Sequence, residues 1–128
     1  MVMMKSERGQ AAVELALTLP ILLLLIFGMI DFGRIFHAYL TLEHTSRESA
    51  RVASVGATNT DIIDYAYQAA SGLNSEELIV HISPETNRTR GTYVTVTTSY
   101  PVELFTPFLD QIMPNPFTVT GETVMRVE

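Results

Sequence analysis

Residues 15–30 carry no charge, and the run is bounded by Glu14 and Asp31. As a helix, such a segment spans about 24 Å, a little short of the ~30 Å hydrocarbon core of a bilayer. Adding residues 10–13 supplies the missing length, but it places Glu14 in or near the membrane. A lone charge there costs ~2.5–3.5 kcal/mol on insertion scales, so the carboxylate asks for a purpose. Pro20 lies inside the run and removes one backbone hydrogen bond, towards Ala16; a kink is expected there, and membrane helices tolerate it. A secretory signal peptide would end in a small-residue cleavage site. Here the apolar run leads into bulky Phe32, Ile35, Phe36 and Tyr39, so the segment is expected to remain in the mature chain.

Charge sets the orientation. Lys5 and Arg8 precede the run, which puts the N-terminus in the cytoplasm and the rest outside. The net charge is −6, and its acidic excess lies beyond Gly56, where only Arg88, Arg90 and Arg126 oppose nine carboxylates. No basic stripe with interleaved aromatics is present, and nucleic acid is not an expected partner. With no cysteine in the chain, disulfides, zinc–thiolate sites, iron–sulfur clusters and thiol catalysis are all excluded. With 128 residues, only one modest domain remains once the membrane segment is subtracted.

Beyond Asp31 the helical period continues without a breaker to Gly56. Asp31–Arg34 and Glu48–Arg51 are spaced i,i+3, and Glu43–Arg47 is i,i+4 with the acid first. Phe32, Ile35, Phe36, Tyr39 and Leu42 fall on one stripe, continued by Ser46, Ser49, Ala50 and Ala53. The stripe begins bulky and ends small, which suits close packing against a helix or a sheet. Residues 10–55 then form one helix of roughly 70 Å, the shape of a filament subunit or of something docking onto one.

The remainder predicts a small head. A short helix follows Gly56, capped by Asn59 or Thr60, with Asp61 in its first turn, and Gly72 ends it. Its apolar side is Ile62, Ile63, Tyr65, Ala66, Ala69 and Ala70. Residues 78–83 read as a strand burying Leu78, Val80 and Ile82, and residues 92–102 as a second, alternating Val94, Val96 and Tyr100 against threonines. Thr106 followed by Pro107 signals a helix start, turning Phe108, Leu109, Ile112 and Met113 inward until Pro114 and Pro116. Residues 117–128 make the last strand, with Gly121 a plausible bulge. The expected class is α+β: a long N-terminal transmembrane and stem helix, a small antiparallel sheet and short helices. The expected divisions are 1–9 leader, 10–30 membrane helix, 31–55 amphipathic stem and 56–128 extracytoplasmic head.

No nucleophile–base pair, paired carboxylates or phosphate loop stands out, so an enzyme is not expected and no cofactor is implied. His81 is expected to be a satisfied, partly buried strand residue. His37, His44 and Glu48 lie near one another on the stem, but isolated histidine–carboxylate pairs on a charged helix usually form a solvated face, and no metal is expected.

The order Lys5, Arg8, Gly9, four residues, Glu14 and an apolar helix resembles the processing site of type IV pilin-like proteins. The resemblance narrows over residues 8–53. The Arg-Gly, Ala-Val-Glu, Leu-Pro followed by leucines, Asp-Phe-Gly-Arg at 31–34, "SRESARVAS" at 46–54 and terminal "MRVE" are similar to the TadE-like family of pseudopilins, encoded with tight-adherence (Flp-type) pili. Ser49 departs mildly, since a glycine is common there. The resemblance implies that a membrane prepilin peptidase cuts between Gly9 and Gln10 on the cytoplasmic side. Glycine suits that role, because it lets the backbone extend into a protease cleft. Glu14 then becomes the fifth residue, able to pair with a neighbouring subunit's amine and set register. The implied partners are that peptidase, other pilins or pseudopilins, the pilus assembly platform and the bacterial inner membrane, crossed once. A main filament subunit is the nearby alternative; a signal-anchored membrane protein with an acidic ligand- or partner-binding head is the more distant one.

Overall fold

The computed structural model describes residues 2–128, with side chains from Ser6 onward; Met1 and the side chain of Lys5, on which the orientation partly rests, lie outside the described residues. The α+β class expected from the sequence is the one observed. Helix α1 runs without interruption from Val2 to Ser54, 53 residues with Pro20 inside it. At 1.5 Å per residue that is roughly 80 Å. It starts earlier than expected, because nothing between Val2 and Gly9 breaks a helix strongly enough to stop it.

Helix α2 spans Asn59–Ala69 and is capped by Thr58, whose hydroxyl accepts from the Asp61 N–H. This corrects the expected cap at Asn59 or Thr60. Asn59 is occupied elsewhere, its Nδ2 donating to the Glu85 carbonyl at 2.7 Å and its Oδ1 accepting from Arg88. Gly72, at φ +97°, stands in the turn beyond the helix.

Strands β1 (Ile79–Ser83), β2 (Tyr93–Val102) and β3 (Phe117–Arg126) form an antiparallel meander in the order β1-β2-β3. Period-2 alternation sends Val94, Val96, Thr98 and Val102 of β2 to the covered face, with Ile82 of β1 and Val119 and Gly121 of β3. The C-terminal half of α1 and helix α2 lie on that face, in two apolar clusters. One joins Ala50, Ala53 and Ile62 to Ile82, Val94, Val96 and Val127. The other joins Ala38, Leu42 and Ala70 to Leu78, Val102 and Val119.

Between these clusters α1 comes unusually close to the sheet. A Cβ on Gly121 would stand 2.9 Å from both the carbonyl carbon and the oxygen of Leu42. Thr98 Oγ1 lies 3.3 Å from the carbonyl oxygens of Leu42 and Gly121, and the hydroxyls of Ser46 and Thr123 are 2.9 Å apart. The expected bulge at Gly121 is therefore corrected. Gly121 pairs with Thr98 in an unbroken register, and the glycine is there to admit a helix backbone.

Candidate functional site

Along α1 the surroundings change at Asp31, the first buried residue among those described. From Ala11 to Ile30 every residue is exposed except Leu24 and Gly28, which are half-buried. This is the one described helix long and apolar enough to cross a membrane.

The residues singled out for processing lie on the contact-free part. Gly9 and Gln10 are exposed and helical, and a Cβ at Gly9 would meet nothing within 4 Å. Glu14 is exposed, four residues beyond Gln10, whose amide nitrogen lies 3.5 Å from Glu14 Oε1. Thr18 Oγ1 donates to the Glu14 carbonyl at 2.7 Å, an i−4 bond to the backbone that leaves Gln10 as the partner of the carboxylate. Helix geometry puts Gln10, Glu14 and Thr18 on one face.

The stem stripe divides. Leu42 is fully buried and Ile35 half-buried within the chain, whereas Phe32 is 55% exposed, Phe36 62% and Tyr39 45%. The buried line runs instead through Asp31, Ala38, Leu42, Thr45, Ser46, Ser49, Ala50 and Ala53. Beneath the sheet the line is mostly small, Leu42 excepted, and Phe32, Phe36 and Tyr39 lie on the side of the helix turned away from it. Phe32, Phe36 and Tyr39 border an open apolar groove of about 490 Å³ with Ile35, Phe117 and Val119. All three stem ion pairs form, at 3.6 Å for Asp31–Arg34 and Glu43–Arg47 and 3.0 Å for Glu48–Arg51. Among the described residues no three His, Asp or Glu side chains stand together as metal ligands. His81 is exposed on the outer face of β1, contrary to the partial burial expected.

The sequence reading missed the role of Asp31. Its Oδ2 accepts three hydrogen bonds from the β2–β3 connection: Thr106 Oγ1 at 2.6 Å, Thr106 N–H at 2.8 Å and Phe105 N–H at 3.0 Å. Burial pushes this carboxyl up, but the bonds from Thr106 and Phe105, with Arg34 beside it, outweigh burial and hold it below the ordinary carboxylate value. Arg34 also donates to the Glu103 carbonyl at 2.8 Å and lies 4.6 Å over the Phe105 ring. The expected helix capped by Thr106 is thereby corrected. The Thr106 hydroxyl is spent on Asp31, and only a 3-10 turn, Leu109–Gln111, forms. Phe108 and Ile112, expected inside, are 65% and 80% exposed, while Leu109 and Met113 are half-buried. A sequence signal existed in the charged residue directly after an apolar run, but the local Asp31–Arg34 spacing explained it too readily.

The architecture defines a class: a single apolar helix able to enter a membrane, continuous with a stem that carries a small α+β head. Within that class a family model described as TadE-like protein matches residues 9–51, about a third of the chain, and over that segment the chain is similar to that family. Neither the curated proteins nor the solved structures hold a match to the chain.

Proposed function

We propose that the chain is a pseudopilin or minor pilin of a tight-adherence pilus, inserted with its N-terminus in the cytoplasm and cut by a prepilin peptidase after Gly9. The observation that carries this reading is that Gly9 does no structural work. Its backbone is helical, its missing Cβ would meet nothing, and alanine there would favour the helix by about 0.8–1.0 kcal/mol. A glycine held at that cost, at the first residue of the family match, is consistent with a requirement outside the fold. Glu14 likewise has no role within the head, and it is free to pair with the new amine of a neighbouring subunit in an apolar bundle. The groove at Phe32, Phe36 and Tyr39 offers such a neighbour a bulky apolar face beside the stem. In this reading residues 10–30 cross the inner membrane, 31–55 form the stem and 56–128 the extracytoplasmic head.

The test is the intact mass of membrane-extracted protein expressed with and without a prepilin peptidase. Peptidase-dependent loss of residues 1–9, abolished by Gly9→Leu, is expected; an unchanged mass in both hosts overturns the reading.

A further inference from the structure

The β2–β3 connection, residues 103–116, does not stay with the head. From the anchor at Asp31 it descends beside α1, where Pro107 and Phe108 line an apolar groove of about 290 Å³ with Pro20, Leu23, Leu24 and Phe27. Leu24 is seven residues below Asp31, or about 10 Å along the helix axis. Phe108 therefore sits beside the segment expected to lie in the bilayer, with the exposed side chains of Phe105 and Ile112 on the same connection.

We infer that this connection is a membrane wedge that inserts among the acyl chains of the leaflet facing the head. The inference rests on the reading of residues 10–30 as a membrane anchor. Three observations favour lipid as the occupant. The loop's apolar surface is continuous with the apolar surface of the anchor itself. Most of its backbone N–H groups between Leu104 and Met113 are satisfied internally, which lowers the cost of irregular backbone near hydrocarbon. Asp31 takes the N–H groups of Phe105 and Thr106, Asn115 Oδ1 that of Leu104, and carbonyls of the short turn those of Gln111, Ile112 and Met113. Finally, Phe108 turns through φ +69°, a left-handed conformation rare for a bulky residue, and yet remains exposed. A strained backbone that gains no burial within the chain is consistent with burial outside it. Asp110 and Gln111 on the same turn are polar and exposed, which keeps the wedge shallow, at the ~5–10 Å depth of interfacial segments. The wedge also supplies apolar cover at the end of a helical run that is short for the bilayer.

The absence of cysteine allows single spin labels without background. The full chain, reconstituted in phosphatidylethanolamine–phosphatidylglycerol vesicles, is labelled in turn at Phe108→Cys, Ile112→Cys, Leu22→Cys in the anchor and Tyr93→Cys on the head. Collisions with dissolved oxygen and with an aqueous nickel chelate are then compared. Loss of nickel collisions at 108 and 112, as at 22, with Tyr93→Cys still accessible, is the expected result. Nickel access at 108 and 112 with protection retained at 22 overturns the wedge and leaves the anchor standing. Access at 22 overturns both. Protection at 108 that disappears when the protein is diluted into more lipid assigns the cover to a second copy and also overturns the wedge.

Discussion

Asp31 holds a buried carboxylate whose stability contribution is legible from its partners. Three donors converge on Oδ2, and two of them are backbone N–H groups without any side chain to reposition. Asp31→Ala leaves these donors in a site made for an anion, and each unsatisfied group costs about 1–3 kcal/mol. We expect the amides of Phe105 and Thr106 to lose about 3 kcal/mol of protection against hydrogen exchange, roughly a hundredfold in rate, while β2 amides change little. The sign of the pH dependence follows from the lowered acidity constant. A carboxylate held below its unfolded value stabilises the fold fully above that value, near 3.9, and loses the contribution as pH falls through the folded value. Protection of the two amides, corrected for intrinsic exchange, should be flat from neutral pH to about 4 and fall below it. A fall beginning above pH 5 would show that Asp31 is not the anchor.

At the scale of elements, the helix–sheet contact is fixed by what is absent. Gly121 has no side chain, and the helix above it offers Ser46, Ser49 and Ala50, so the backbones approach to a distance at which Thr98 reaches the Leu42 carbonyl. Gly121→Ala inserts a methyl group 2.9 Å from that carbonyl, and overpacking of this kind costs about 1–3 kcal/mol. Thermal unfolding of the head in detergent should drop by several degrees per kcal/mol lost, while Thr120→Ala, on the exposed neighbouring position, leaves it nearly unchanged. Much of this level could be read from the sequence. The strands at 79–83, 93–102 and 117–126 fall within a residue or two of their expected bounds, since alternation is a local signal. Gly121 stands out in the sequence, but a bulge and a close helix approach leave the same mark in one strand. Thr106-Pro107 carried a sound capping signal that a buried carboxylate 75 positions away overrode. Such a contact has no trace in local pattern. Phe32, Phe36 and Tyr39 share the helical stripe of Leu42, yet only the side from which the sheet packs decides which of them it covers.

For the molecule as a whole, the proposed function requires the charge at Glu14 to separate insertion from assembly. Glu14→Ala should leave membrane insertion and cleavage after Gly9 largely intact, because neither the apolar run nor the glycine is altered. Assembly with other pilins should be impaired, read as loss of the protein from sheared pilus fractions. Normal recovery of the alanine variant in that fraction would leave the carboxylate without a part in register.

The uninterrupted course of α1 has a mechanical meaning. No loop separates the part that bears the head from the part that carries Glu14; Pro20, Gly28 and Gly33 all lie within one continuous helix from Val2 to Ser54. An α-helix turns about 100° and rises 1.5 Å for every residue. Adding one alanine between Ile21 and Leu22 should therefore swing the head by roughly a quarter turn about the helix axis and lift it by 1.5 Å relative to the amino end. The direction in which the head points is thus written into the residue count of the apolar segment, and a push, pull or twist applied at the amino end is carried to the head by a continuous helix.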